Sequence, residues 1–379
     1  MSTSSGPRGL YVHIPFCLKK CHYCDYVITL KRDHDFRRRF FDALRLEISE
    51  AEARYGRLCF DTIYLGGGTP SALSGSEMTE LLDLLRETFD FNFDYELTCE
   101  VNPGDVDPVK LETYRGLGIN RISLGVQAFQ DHLLKDMDRP HGVKEILETA
   151  ALLKKTGFQN ISMDLILKLP GQTIEDLESS LAHVVQLGAS QVSFYDLEVH
   201  AQTVYGHRQR RGELILPPED LHARMFDLVV SYLIRAGYEH YEVSNFARSG
   251  FASQHNLIYW HNQEYLGLGP GAFSYMNGVR YQFSLEVGRY LDKCEAGNFS
   301  RDTEDILSDE KKEMETLITG LRLQEGVSLD AFPIVRKEIE AKLPFLIKGG
   351  CVKREGDALR LTRRGKFLIE SVLVELSQS

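Results

Sequence analysis

Tyr11-Val12-His13-Ile14-Pro15-Phe16-Cys17-Leu18-Lys19-Lys20-Cys21-His22-Tyr23-Cys24 joins an apolar, strand-like run to three cysteines within eight residues. The C-x3-C-x2-C spacing lets one loop wrap three thiolates round one compact inorganic core. A closed structural zinc site needs a fourth ligand. His22, inside the loop, is the candidate, and no paired Cys or His motif stands elsewhere. A [4Fe–4S] cube usually takes four cysteines; with three, one iron stays open to a small amino acid that chelates through its amino and carboxylate groups. Seven cysteines in 379 residues do not read as a disulfide framework. Cys59, Cys99 and Cys351, in or beside apolar runs, read as ordinary buried thiols.

Outward from this loop, strand-like and helix-like segments alternate up to residue 199. The strand candidates are Leu10–Phe16, Thr62–Leu65, Glu96–Val101, Arg121–Val126, Ile161–Leu167 and Gln191–Val199. Between them, apolar spacing near 3.6 predicts helices over Phe36–Tyr55, Glu77–Phe89, Pro108–Leu117, Val143–Thr156 and Ile174–Leu187, with another over Pro218–Ala236. Gly56, Gly118, Gly157, Gly188 and Gly237 stand where C-caps belong. Six such units predict an α/β fold with a parallel sheet and right-handed crossovers. Ligands of such sheets bind at the carboxyl ends of the strands.

From residue 301 the pattern changes to helix (Ser308–Leu321), helix (Leu329–Ala341) and a hairpin over Gly350–Thr362, an α+β, winged-helix-like arrangement. The expected division is 1–240 for the βα units, 241–300 for a connecting segment and 301–379 for the C-terminal domain. Residues 348–366 hold seven basic and two acidic residues, but the chain as a whole carries −11. That balance favours a docking domain with a solvated basic edge over a specific nucleic-acid partner. No run reaches the ~18 apolar residues of a membrane span, and the opening residues lack an apolar signal core. The expected location is cytoplasmic.

The strand ends carry further polar groups: Gly66-Gly67-Gly68-Thr69-Pro70 after the second, Glu100-Val101-Asn102-Pro103 at the third and Gln127 at the fourth. Arg139 and His141 follow in the next loop, and Asp164 lies in the fifth strand. With these, the cysteine loop resembles the radical S-adenosylmethionine (SAM) signature. Nearly the whole chain resembles the oxygen-independent coproporphyrinogen III oxidase-like family. The resemblance implies a partial (β/α)6 TIM-like radical SAM barrel, a [4Fe–4S] cluster on Cys17, Cys21 and Cys24, and SAM contacts from Tyr11, Tyr23, Gly67, Gly68, Thr69, Glu100, Gln127, Arg139 and Asp164. A planar guanidinium suits the methionyl carboxylate, and Glu100 and Asp164 suit ribose hydroxyls.

Within the family, the oxidases carry another cysteine two positions after the third, and an N-terminal extension. Here Tyr26 stands at that position and sixteen residues precede Cys17. His255-Asn256-Leu257-Ile258-Tyr259-Trp260, with Gly267-Leu268-Gly269-Pro270-Gly271-Ala272 after it, resembles the heme-chaperone branch. That branch implies heme binding at His255, Asn256, Tyr259 and Trp260, transfer to an acceptor hemoprotein, and cluster-dependent homodimerisation. On chemistry alone the same residues could cap a turn and fill the barrel mouth. His200, His207, His240, His261 and Cys294 could also ligate iron, without a motif pointing to them. The alternative is coproporphyrinogen III oxidase activity, and the residues leave open whether SAM is cleaved. Two departures from the family pattern fall on the rim: Lys168 stands for a Gly, and His200-Ala201-Gln202-Thr203 replaces Glu-Pro-Gly-Thr.

Overall fold

A computed structural model describes residues 6–378. Six strands run parallel and side by side in chain order: β1 (Gly9–Ile14), β2 (Cys59–Gly67), β3 (Asp90–Val101), β4 (Arg121–Gln127), β5 (Asn160–Leu167) and β6 (Gln191–Asp196). The crossovers carry α1 (His34–Tyr55), α2 (Gly75–Thr88), α3 (Pro108–Gly116), α4 (Asp131–Asp136), α5 (Val143–Lys155) and α6 (Ile174–Gln186); α7 (Val204–Arg210) and α8 (Glu219–Arg235) follow β6. The six expected strands and the longer expected helices lie where apolar period and caps put them. The glycines at 56, 118, 157, 188 and 237 all have positive φ, as left-handed helix ends require.

The sheet is open. Its β6 edge continues antiparallel into β8 (Asn245–Ala247) and β7 (Glu239–Glu242). Its β1 edge pairs parallel with β9 (Tyr265–Leu268), which leads antiparallel into β10 (Phe273–Met276), β11 (Val279–Gln282) and β12 (Thr303–Ile306). The stretch read from sequence as a connecting segment therefore supplies strands to both edges. These strands are three or four residues long, too short for a two-residue period to stand out.

One face of the parallel sheet is apolar and buried under the crossover helices: Leu10, Val12 and Ile14; Ile63 and Leu65; Leu97, Cys99 and Val101; Ile122, Leu124 and Val126. The alternate residues project to the other face. They are polar to an unusual degree: Tyr11 and His13, Thr62 and Tyr64, Glu96 and Glu100, Arg121 and Ser123, Ser162 and Asp164. Register pairs Tyr11 with Tyr64 and Thr62 with Glu96. Helix α9 (Gln254–Trp260) closes the amino end of this polar face. The cysteine loop closes the carboxyl end.

After α10 (Val287–Glu295) come α11 (Asp309–Gly320), β13 (Val327–Ser328), α12 (Arg336–Lys348), β14 (Val352–Glu355), β15 (Ala358–Leu361), α13 (Arg363–Phe367) and α14 (Ile369–Ser377). They enclose a second core that includes Leu317, Phe332, Ile339, Leu359 and Leu376, which Val243 joins from the main body. The second expected helix is displaced. Pro333 disfavours helical backbone at Phe332, so Leu329–Ala331 makes only a 3-10 turn and α12 starts at Arg336, continuing past Ala341 and through Pro344. Basic groups of this module are spent on docking: Arg363 donates to Ser231 Oγ at 2.8 Å and pairs with Asp227 on α8 at 2.6 Å. Among the described residues no helix is long and apolar enough to cross a membrane.

Candidate functional site

The loop after β1 is clasped before any ligand is considered. Cys17 N–H donates to Thr29 O (3.1 Å), Cys24 N–H to Cys21 O (3.1 Å) and His22 N–H to Met137 O (3.0 Å). The His22 side chain turns away: its Nδ1 meets Asp136 O at 2.7 Å, and its Nε2 faces Asp138 at 3.7 Å. Tyr205 reinforces this side, with its N–H on His22 O and its hydroxyl on Asp136 Oδ2, both within 3.0 Å. Among the described residues no three His, Cys, Asp or Glu side chains converge on one ion position, as zinc would require. A cube takes one thiolate per iron, so its ligands need not meet at a point. Burial pushes the Cys17 thiol up to about 11 and raises Cys24 as well. Thiolates at these positions need a cationic core to form.

The second strand end explains its glycines. At Gly67 (φ +108°) a Cβ would lie 2.5 Å from the His13 ring, and at Gly68 it would lie 2.7 Å from the Pro15 backbone. The ridge thus passes against the root of the cysteine loop, where any side chain would push it off. Thr69 Oγ1 contacts Cys17 Sγ at 3.4 Å and accepts from Asn102 Nδ2 at 3.0 Å. Arg139 completes the chain: Nη2 donates to Asn102 Oδ1 (2.7 Å) and Gly125 O (3.0 Å), while Nη1 lies 3.6 Å from Cys21 Sγ and 3.4 Å from the Tyr23 hydroxyl. Arg139 Nε is buried without a partner, and so are both ring nitrogens of His141. Unpaired buried donors are costly and rare, and Arg139 carries one on the same guanidinium that reaches Cys21.

Two carboxylates sit deeper. Glu100 accepts from Tyr64 OH (2.9 Å) and Gly67 N–H (3.2 Å), and burial still pushes it up to about 7. Asp164 accepts from Ser123 Oγ at 2.9 Å and is raised by burial. Tyr11 stacks on Tyr64 with ring centroids 6.2 Å apart. Gln127 ends β4 at φ +68°, a conformation costly for a side chain that is not glycine. The structure thus brings Tyr11, Tyr23, Gly67, Gly68, Thr69, Glu100, Gln127, Arg139 and Asp164 to the carboxyl half of the polar face.

Both departures on the rim have a local account. Lys168 keeps the glycine-type backbone, φ +63°, and sends its ammonium outward to Glu219 at 3.0 Å. His200 Nδ1 reaches Asp25, next to Cys24, at 3.4 Å, and Gln202 bonds the same carboxylate. These substitutions tie the loop after β6 to the cysteine loop. Sequence reading quoted Asn102 without giving it a role, which is to bridge Thr69 and Arg139, and passed over the Tyr205–Asp136 latch. Asn102 was visible as a polar group at a strand end; Tyr205 gave no signal.

The four residues of the His255 string lie at the opposite, amino end. Ser253 caps α9 by accepting from Asn256 N–H at 3.3 Å. The buried Glu96 carboxylate, reaching from β3, accepts from Ser253 Oγ, Gln254 N–H and His255 N–H at 3.1–3.3 Å, a favourable place for negative charge at a helix start. His255 is 1% exposed, with Nδ1 on Thr62 Oγ1 (2.7 Å) and Nε2 on Tyr259 OH (2.8 Å). Burial holds it down at about 3, so it is neutral. Tyr259 packs edge-on to Tyr265. Trp260 lies under the Arg322 guanidinium, 4.4 Å from the ring centroid, and its buried indole N–H has no partner. Of the other candidates, Cys294 is buried in the main core. One expectation for the thiols fails: Cys99 and Cys351 are buried, but Cys59 is exposed, because it opens β2 at the rim with its side chain toward Asn92.

Comparison with known proteins agrees with this layout. The Radical SAM superfamily matches residues 11–184, and the HemN C-terminal domain matches 307–368. The chain is similar to the protein named heme chaperone HemW of Lactococcus lactis, 40% identical over 86% of this chain and 84% of that one. It is similar also to those of Bacillus subtilis (36%, over 95% and 97%) and Escherichia coli (32%, over 97% and 97%). Its fold matches that of Escherichia coli coproporphyrinogen III oxidase (HemN), a radical SAM enzyme, with a TM-score of 0.85 at 24% identity over 98% of this chain and 90% of that one. The chain belongs to the HemW family of radical SAM proteins.

Proposed function

We propose that the protein is a cytoplasmic heme chaperone that carries a [4Fe–4S] cluster on Cys17, Cys21 and Cys24 with SAM at the open iron, and hands heme to an acceptor hemoprotein. The observation that carries the cluster part is the Arg139 guanidinium, set against Cys21 Sγ and the Tyr23 hydroxyl with its buried Nε unpaired, on a loop of three thiols backed by a glycine ridge. These residues fit the group. Arg139 would take the methionyl carboxylate, the Gly67–Thr69 ridge the amino-acid end, and Glu100 and Asp164 the ribose hydroxyls, with Tyr11, Tyr23 and Gln127 lining the remainder. Such a cluster supplies single-electron transfer to bound SAM. This chain's part is to fix the carboxylate, keep water from the thiols and hold the loop closed through Thr29, Met137 and Tyr205. The names of the relatives support the heme part.

We assign heme to α9, through His255, Asn256, Tyr259 and Trp260. The free indole N–H of Trp260 supports this as a partner for a propionate. Iron at His255 Nε2 must displace the Tyr259 hydroxyl, so heme entry opens α9. The working unit is a homodimer when the cluster is present, and its functional division is 1–240, 241–300 and 301–379. The HemN-like fold supports one second reading, coproporphyrinogen III oxidase activity.

The test is anaerobic reconstitution followed by hemin titration. Iron and sulfide in equal amounts, lost in Cys21→Ser, and a Soret band altered in His255→Ala are the expected results. Zinc in place of iron ends the cluster assignment, and an unchanged Soret band moves heme away from α9. Steady protoporphyrinogen formation from coproporphyrinogen III with SAM and reductant replaces the chaperone reading with the oxidase one.

A further inference from the structure

Tyr64 of β2 touches both ends of the polar face. Its hydroxyl donates to Glu100 Oε1 at 2.9 Å, and its ring packs on the His255 imidazole with centroids 5.2 Å apart and planes at 32°. Tyr11, its register partner on β1, flanks the ring at 6.2 Å and spends its own hydroxyl on His13 Nδ1 at 3.1 Å. Gly66 leaves the ring its room: a Cβ there would lie 2.8 Å from the Tyr64 ring and 3.1 Å from Glu100 Oε1. Burial and the Glu100 charge hold the phenol well above its usual range, so it stays a donor. A carboxylate thus fixes one end of this side chain and an imidazole packs on its ring.

Glu100 is aimed by this contact. Tyr64 holds Oε1 and Gly67 N–H holds Oε2 at 3.2 Å, and each oxygen keeps a lone pair for a ribose hydroxyl. At the other end, heme iron reaches His255 Nε2 only when the Tyr259 hydroxyl, 2.8 Å away, leaves it. That step moves α9, and the imidazole packed on Tyr64 moves with it. An opened α9 takes away one wall of the ring, and so loosens the donor that orients Glu100. The closed form suits SAM and the open form suits heme.

We propose that Tyr64 is a positioning residue shared by the two sites, through which SAM on Glu100 holds α9 shut and heme on His255 loosens SAM. The proposal rests on the SAM and heme placements above and adds their regulation: the two ligands oppose each other, so the arrival of SAM drives the cargo off α9. By linkage, each lowers the other's affinity by the same factor. The two-state element that both ligands bias is α9 itself.

The experiment uses full-length, cluster-loaded protein, kept anaerobic and without reductant so that SAM stays intact. Saturating SAM weakens hemin binding, read at the Soret band, by about tenfold, within the usual span for two coupled sites. Hemin weakens the binding of labelled SAM, read by equilibrium dialysis, by the same factor. In Tyr64→Phe, which keeps the ring and loses the donor, both ratios fall to about one. A second readout needs no heme: Trp260, the only tryptophan of the chain, rides on α9, and SAM shields it from acrylamide quenching in wild type but not in Tyr64→Phe. The proposal is overturned if SAM leaves hemin affinity unchanged or raises it, or if Tyr64→Phe keeps the full ratio; either result leaves the heme reading standing. A Trp260 as accessible with SAM as without it overturns the proposal too. If wild type binds no hemin, or His255→Ala binds it like wild type, heme at α9 falls and this proposal with it.

Discussion

The two ends of the polar sheet face are built on opposite terms. At the carboxyl end, buried donors on Arg139 and His141 lack partners, and three residues that are not glycine (Gln127, Asp138 and Lys168) take left-handed backbone. At the amino end, His255 spends both nitrogens and Glu96 accepts three hydrogen bonds. Most of the left-handed backbone near the polar face gathers at the carboxyl end, where SAM is expected, whereas the amino end leaves Trp260 Nε1 and Arg121 Nε as its unpaired buried donors. Saturated bonding gathers where a helix must stop the sheet from opening. The lesson is that a chemical motif such as His255–Trp260 does not mark an open site by its composition. Its contacts show what must first move.

The contrast breaks most readily at Glu96. Replacing it with Ala removes the carboxylate at the start of α9 and leaves Arg121, 4.0 Å away and buried, uncompensated; the expected loss is about 4 kcal/mol, read by chemical denaturation. An end held by the α9 bonds alone would lose far less.

Next in size is an opposition in pH. Buried Glu47 accepts from Gly269 N–H and Tyr290 OH near the carboxyl end, and burial pushes it from 4.5 up to about 7. Its native form keeps a proton that the unfolded chain releases, so stability is full below pH 4.5 and falls as pH climbs to about 7, by about 2–3 kcal/mol. Glu47→Gln flattens that fall. His255 runs the other way: held at about 3 against 6.5 unfolded, it contributes stability that is present above 6.5 and lost as pH drops toward 3. His255→Gln flattens the acid side. Denaturation of both variants from pH 3 to 8 checks the pair, and parallel profiles would erase the distinction.

The smallest effect is at Lys168. Gly at this position relieves left-handed strain and gives up only an exposed pair with Glu219, raising stability by about 1 kcal/mol. A loss instead would mean the Lys168 ammonium holds the rim.

How much of this was legible in the sequence follows from what periodicity can carry. The βα units were readable because Leu10, Val12 and Ile14 or Ile63 and Leu65 alternate over enough residues, and because glycine ends the helices. The carboxyl-end residues were readable because polar groups at strand ends stand out against apolar runs. The edge strands β8–β12 were not, being too short for a period, and the start of α12 was hidden because Pro333 acts on its neighbour. Nothing local told that His255 faces Thr62, 193 residues earlier; only the assembled sheet with α9 laid across its amino end brings them together.

The pairing of β1 with β9 carries a consequence for synthesis. Gly9 leaves the ribosome some 250 residues before its neighbour Tyr265, so until β9 is made the first strand presents one bare edge. Nascent chains stalled ahead of β9 should stick to one another and to holdases, whereas chains released just beyond it should not.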